Sequence, residues 1–224
     1  MSVERTKAII LRRTNYGEAD RILKMITPLG QRSVIAKGVR REKSKLAGGI
    51  ELLAISDIVI QAGKGDLGIL TSARLVHFYR HIMGDYDRLQ FGYEAINLVS
   101  KASEMIDEPD WYDVLSEVYM GLDNLSIPLQ LVQSWFYIRY AGLSGYEINL
   151  SRDVAGNLLE AGKTYMYDPV ERGLRRSDQG DVTADHIKFL RIINTKSLAT
   201  VAQIGGIEKI LPDIWLIARQ QASV

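Results

Sequence analysis

Five cations fall within nine residues in Lys37-Gly-Val-Arg40-Arg41-Glu-Lys43-Ser-Lys45, with a single glutamate among them and an apolar alternating segment on either side. Ammonium and guanidinium groups at this density neutralise phosphates, so the chemistry they offer is binding of a polyanion. The charge of the whole chain is split to match. Residues 1–80 carry fifteen Lys/Arg against seven Asp/Glu, which leaves thirteen against twenty of the total 28 and 27 for residues 81–224. A formal +8 half therefore precedes a −7 half, and the net +1 conceals both.

Groups that could do covalent or acid-base chemistry are few. The chain has no cysteine, which excludes disulfides, thiolate nucleophiles and Cys-ligated zinc. Of its three histidines, His77 and His81 stand at helical metal-ligand spacing but lack a neighbouring glutamate of the His-Glu-x-x-His kind. Glycines at 30, 38, 48 and 49 are not followed by Lys-Ser or Lys-Thr at the Walker offset, so no ATP site is expected. Gly63-x-Gly65-x-x-Gly68 matches the dinucleotide-binding pattern, yet Ile69 to Val76 reads as a strand where that pattern needs a helix, and a hairpin turn is expected. Glu18 and Asp20 could hold Mg²⁺ for nuclease chemistry, although a tight turn and local pairing with Arg21 also account for them.

The elements that must carry the cations read as strands. Ala8 to Leu11, Arg21 to Ile26, Arg32 to Ala36, Ile50 to Gln61 and Leu67 to Phe78 are short apolar runs punctuated by Gly, Pro and Asn. Five such strands close as the OB-fold barrel, a platform for oligonucleotides. Arg12, Arg13, Arg21, Arg32 and Lys37 lie on or beside them, whereas Tyr16 is the one aromatic in residues 1–75, so backbone electrostatics should outweigh base stacking.

Past residue 80 the period becomes helical. Leu89, Tyr93, Ile96, Val99 and Ile106 mark one stripe, Trp111, Val114, Leu115, Val118 and Leu122 a second, and Leu131, Val132, Trp135, Ile138 and Leu143 a third that restarts at Pro128. The expected class is α+β with two domains: an N-terminal five-stranded OB-fold barrel over 1–80, and a helical domain over 81–224 with a small irregular or β insertion near 146–182. No basic residue interrupts Glu104, Asp107, Glu108, Asp110, Asp113, Glu117 and Asp123, a solvated face or a fence that keeps nucleic acid on the barrel. Arg172, Arg175 and Arg176 could be secondary phosphate contacts. No secretory leader is evident after Met1 and no apolar run nears about 18 residues, so a cytoplasmic protein without a membrane partner is expected.

The stretch Ala8-Ile-Ile-Leu-Arg12-Arg13-Thr-Asn-Tyr16-Gly17-Glu18-Ala-Asp20-Arg21-Ile-Leu23 resembles the opening signature of the bacterial RecO recombination mediators. The similarity continues through Thr27-Pro-x-Gly30, Ala36-Lys37-Gly38-Val39-Arg40, Ser44-x-Leu46 and Gly48-Gly49. It implies an OB-fold followed by a helical domain, and binding of single- and double-stranded DNA without a catalysed reaction or a cofactor. It also implies annealing of complementary strands and, with RecR, loading of RecA onto strands coated by single-stranded-DNA-binding protein. Cytoplasmic action at the nucleoid goes with that role. Many members carry a four-cysteine zinc module near the C-terminus. The corresponding stretch here, from Asn149 to Gly173, has no cysteine and would have to hold itself by packing Leu158, Leu159, Tyr165 and Tyr167.

On this reading Arg12, Arg13, Arg21, Lys37, Arg40, Arg41, Lys43 and Lys45 form one positive surface over the barrel face and a flexible loop, with no metal and no catalytic residue. Lowering the repulsion between two backbones while leaving base edges free lets strands find register. The acidic half could also compete with DNA for the loop. Two rivals remain: a scaffold whose basic barrel and acidic helices dock protein partners, and the metal nuclease using Glu18 and Asp20.

Overall fold

The computed structural model describes residues 3–63, 65 and 67–222. Strands β1 (Val3–Tyr16), β2 (Asp20–Thr27) and β3 (Gly30–Ala36) form an antiparallel meander whose turns follow from local chemistry. Gly17 turns the first hairpin at φ +54° and Gly30 ends the second at φ +94°, values that side chains with a Cβ rarely adopt. Thr27 steadies the second turn, its hydroxyl donating to Gly30 O (2.9 Å) and accepting from the Leu29 amide (3.1 Å).

Strands β4 (Ala54–Gln61) and β5 (Leu67–Phe78) complete a closed barrel of order β1-β2-β3-β5-β4, in which β3 and β5 pair in parallel and every other pair is antiparallel. This is the OB-fold expected from the strand pattern. Its interior holds Ala8, Ile10, Leu23, Met25, Val34, Ile58, Ile60 and Leu70, each side chain contributing about 1.5–3 kcal/mol where a large aliphatic group is buried. The apolar segment from Ile50 begins earlier than the strand does: Ala47–Gly49 is a 3-10 turn, and Leu53 sits at φ +56° just before β4. Gly49 is required there, because a Cβ would stand 2.4 Å from the Ala73 backbone.

Leu11 is an extra residue in β1, since the register shifts between Ile10 and Arg12. Around it Ala8 to Leu11 are all buried, Ala8 and Ile10 in the interior cluster and Ile9 outside it, facing Ile26 across the hairpin. Two helices explain the burial outside the barrel. α1 (Tyr86–Met105) packs on β1, and α2 (Asp110–Asp123) on β1, β2 and β3.

The α2 stripe is as expected, with Trp111, Val114, Leu115, Val118 and Leu122 all buried. The α1 stripe is borne out in part. Ile96 and Val99 are buried as expected, but Arg88, Phe91, Gly92 and Ala95 are buried with them, while Leu89 and Ile106 are half-buried and Tyr93 is 40% exposed. A buried arginine hid this from a hydrophobic pattern: Arg88 Nη1 donates to Gly121 O (3.3 Å) and Leu122 O (3.0 Å), satisfying carbonyls at the end of α2.

Packing divides the chain after Asp123, residues 1–123 forming one compact unit and 124–224 another. The change from strand to helix lies near residue 80, while α1 and α2 cluster with the barrel.

The second unit comprises α3 (Leu129–Leu143), a hairpin of β6 (Tyr165–Asp168) and β7 (Gly173–Arg176), then α4 (Ala184–Thr195), α5 (Leu198–Val201) and α6 (Leu211–Ala222). α3 is buried around most of its circumference and packs on α4 and α6. The irregular stretch is held differently from expectation. Tyr165 is buried, but Leu158 is 63% exposed and Leu159 and Tyr167 are half-buried. Polar turns do the work instead: Asn149 Oδ1 accepts from the Ser151 and Arg152 amides, Asp153 Oδ1 from Ala155 and Asn157, and Asp168 Oδ1 from Val170 and Glu171, all at 2.8–3.1 Å.

Candidate nucleic-acid interface

β1 and β2 run together to the Gly17 turn as a ribbon whose β2 edge pairs with β3 from Arg21 to Thr27, and the period of two sorts its cations onto opposite sides. Arg12 pairs with Lys24, while Arg13 pairs with Leu23 of the interior and Asn15 with Arg21. Arg12 and Arg13 therefore do not share a face. On the Arg12 side, the Lys24 ammonium binds the Glu104 carboxylate and Ser100 O (2.5 Å) of α1. The hydrogen bond and charge of Lys24, with a smaller contribution from Arg12, hold the Glu104 carboxyl below the usual carboxylate range. On the other side, Arg13 Nη1 donates to Glu51 Oε2 (2.9 Å) and Ile50 O (3.4 Å), and Arg21 Nε to Asn15 Oδ1 (3.2 Å).

The basic loop is stitched to the tip of this ribbon rather than loose. Asp20 Oδ1 accepts from the Gly38 amide (2.6 Å), the Arg40 amide donates to Ala19 O (2.8 Å), and Arg40 Nη1 donates to Gly17 O (3.3 Å). Gly38 at φ +63° makes the bend possible, and the Arg41 amide closes it on Gly38 O (3.1 Å). Val39 and Ile50 join the barrel interior, with Leu46 and Leu52 packed against it. Apolar residues thus anchor the loop while Lys37, Arg40, Arg41, Lys43 and Lys45 remain exposed.

Arg21, Lys37, Arg40 and Arg41 are brought together, since Arg21 pairs with Ala36, the residue before Lys37, and Arg40 reaches the Gly17 turn. Lys43 and Lys45 stand further along the same loop. Arg13 borders the loop's far end through Glu51, in a half-exposed pair of the sort worth about 0–1 kcal/mol, so an incoming phosphate can compete for it. Arg12 belongs to the separate Lys24–Glu104 face. Tyr16, 54% exposed beside the turn, offers a π-face at the tip of the hairpin, opposite Asp20 and on the side of β1 away from Asn15 and Arg21; its place next to Asn15-Gly17 was the available signal. Lys24 was legible only from its register opposite Arg12.

Other candidates have local duties. Arg32 pairs with Glu4 (3.1 Å). Asp20 is committed to the loop amide, and the described residues contain no group of three His, Cys, Asp or Glu that could hold a metal ion. The His81 amide donates to Asp123 Oδ1 (2.7 Å), and His77 lies against Tyr79, ring centres 4.2 Å apart. Gly68 opens β5 rather than a helix, and a Cβ there would meet Ile60 at 2.6 Å; Lys64 and Asp66 of the same motif lie outside the described residues. The acidic run is partly structural: Glu104 holds Lys24, Asp107 accepts from the Gln31 amide (3.2 Å), and Asp123 anchors His81. In the second unit Arg172 stacks over Tyr146 (4.1 Å), Arg175 pairs with Asp168 (2.5 Å) and Arg176 with Glu160 (3.7 Å).

Comparison with known proteins agrees with this architecture. Residues 1–79 match the family described as Recombination protein O N terminal. Over 225 aligned residues the chain is 32% identical to DNA repair protein RecO of Dehalococcoides mccartyi strain CBDB1, covering 96% of this chain and 87% of the relative. The chain belongs to the RecO family of DNA repair proteins. Similar matches are the RecO proteins of Heliobacterium modesticaldum (31% identity, 85% of this chain, 73% of the relative) and Roseiflexus sp. strain RS-1 (30%, 76% and 60%). The four-cysteine zinc module of many RecO proteins does not fit these residues. The chain has no thiolate, and the Asn149, Asp153 and Asp168 oxygens that could substitute are engaged by backbone amides. None of the described helices is long and apolar enough to cross a membrane.

Proposed function

We propose that this RecO protein is a non-catalytic mediator that binds single- and double-stranded DNA by its phosphates, anneals complementary strands, and assists RecA loading onto strands coated by single-stranded-DNA-binding protein, together with RecR. The observation that carries the reading is the pinned loop: Arg21, Lys37, Arg40 and Arg41 are held around the Gly17 turn by the Asp20–Gly38 and Ala19–Arg40 bonds, with Lys43 and Lys45 beyond. A preorganised row of cations loses less freedom on meeting a phosphate chain than a loose one would. It reads no bases, so it can hold a strand whose base edges stay open for pairing. Arg172, Arg175 and Arg176 serve mainly their own unit and contribute at most weak secondary contacts. The protein acts in the cytoplasm, at the nucleoid.

Fluorescence anisotropy with labelled single- and double-stranded oligonucleotides and no other protein tests this. The expected result is binding to any sequence, weakening steeply with salt, and no strand cleavage in Mg²⁺ or Mn²⁺. Absence of DNA binding by the folded protein would refute it and leave docking of protein partners as the role of the basic barrel.

A further inference from the structure

Another cationic surface lies on the outside of the same barrel, away from the loop. Period two turns Arg5 and Lys7 of β1 outward, and the register sets Lys7 beside Asp57 of β4 and Asp57 beside Arg74 of β5; one step along, Arg5, Val59 and Ser72 form a parallel row. With strands about 4.8 Å apart and rows about 6.6 Å apart, the cations are spread rather than converging on a point. Asp57 bridges two of them, to Lys7 Nζ (3.1 Å) and Arg74 Nη2 (2.7 Å), and holds both in place without covering them: their side chains stay 50% and 78% exposed. Arg5 is exposed and has no ion pair among the described residues. Around these side chains runs an open groove of about 470 Å³, to which Ser72 adds a hydroxyl.

We infer that this β1–β4–β5 face is a second phosphate-backbone surface, which captures the second strand while the loop holds the first. The inference rests on the annealing role proposed above, since a protein that pairs strands must hold both at once. Three cations against one carboxylate leave a net charge of +2 in a groove, which is complementary to an extended polyanion and poorly suited to a compact ion or an acidic side chain. Asp57, bound to both neighbours, stays ionised and keeps the cations splayed, and exposed pairs of this kind are weak enough, about 0–1 kcal/mol, for phosphate to share them. Position separates the two surfaces. Arg5 and Arg13 are eight residues apart on β1, seven ladder steps once the bulged Leu11 is set aside, or up to about 23 Å at about 3.3 Å per step, and lie toward opposite ends of the strand. The β1 parity that buries Ala8 and Ile10 fixes Arg5 and Lys7 outward, so this face could not be relocated to the loop without inverting the barrel core.

The test uses the full chain and two oligonucleotides of the same sequence, unable to pair, one carrying a donor and the other an acceptor fluorophore. Energy transfer between them reports a complex holding two strands, and anisotropy of one strand alone reports the first site. In Arg5→Gln/Arg74→Gln, whose side chains are exposed and nearly the same size, first-strand affinity should change less than about twofold. Second-strand capture should weaken about tenfold, and its salt slope should become shallower by about 1.4, because two cations no longer displace counterions from the strand. Arg74→Lys, which keeps the charge, should retain capture. Undiminished capture by the folded double variant would overturn the inference, as would equal weakening at both sites, which would make this face an extension of the first. A wild type that binds one strand and never two would overturn it while leaving DNA binding intact; failure to bind any strand would overturn the proposed function as well.

Discussion

Neutralising Arg40 and Arg41 should change how DNA binding responds to salt, by an amount the structure allows to be worked out. The loop and turn expose Lys37, Arg40, Arg41, Lys43 and Lys45, with Arg21 half-exposed beside them, so about five phosphate contacts on a single strand are available and the slope of log affinity against log salt should be about −3.5. Arg40→Gln/Arg41→Gln leaves about three contacts and a slope of about −2.1. From about 50 to about 200 mM salt, wild-type affinity should then fall about 130-fold and that of the variant about 20-fold. The substitutions keep the Arg40 amide bond to Ala19 and forfeit only the exposed Nη1 contact with Gly17 O, so the fold should survive. Anisotropy titrations at four or five salt concentrations, with circular dichroism on both proteins, measure the two slopes. Parallel lines from a folded variant would refute the placement of Arg40 and Arg41 at the interface.

Further outcomes follow from the same geometry. Tyr16→Ala should weaken single-strand binding about fivefold or more, as removal of a stacking platform would, and leave duplex binding nearly unchanged, both read by anisotropy. Asp20→Ala removes the carboxylate from the Gly38 amide and should lower stability by about 1 kcal/mol in urea unfolding while weakening DNA binding through a loosened loop. Glu104→Gln should release Lys24 and strengthen DNA binding at low salt by up to about threefold; a decrease would argue that Glu104 only props the helix. Burial tends to raise the Asp153 carboxyl, but hydrogen bonds from the Asn157 amide and side chain and the Ala155 amide outweigh it and hold the group below its ordinary value. A depressed carboxyl contributes stability that is present above its unfolded value of about 3.9 and lost as pH falls through the folded one. Melting curves between about pH 6 and pH 3 should accordingly show a smaller acid-side loss for Asp153→Asn than for wild type.

Elements with one buried face were legible in the sequence. Strand alternation and Gly17, Gly30 and Gly68 marked the barrel, and the Trp111 to Leu122 spacing marked α2, because each pattern reports a single boundary between core and water. What was not legible depended on polar groups in the interior or on long-range partners. Arg88 took a core position by capping carbonyls of α2, so the first turns of α1 bury Arg88, Phe91 and Gly92 where Leu89 and Tyr93 were expected, while Ile96 and Val99 keep their places. Period two separated Arg12 from Arg13 and the bulge at Leu11 decided which side each faces, although adjacent arginines in a sequence read as one patch. Loop rigidity came from Asp20, a residue whose nearest visible partner was Arg21 and whose actual partner is the amide of Gly38. Around 149–171, short Asx turns carry what was expected of Leu158 and Leu159, which are exposed and half-buried, because Asn149, Asp153 and Asp168 each satisfy the backbone amides that follow them.

If the pinned loop is what lets this RecO protein bring complementary strands together, its charge must govern annealing itself and not only binding. Annealing of two complementary oligonucleotides, labelled for energy transfer and precoated with the cognate single-strand-binding protein, measures this directly in wild type and Arg40→Glu/Arg41→Glu. Wild type should anneal rapidly without ATP, and the folded variant should not. Equal annealing by both, or none by folded wild type, would contradict the role assigned to the loop.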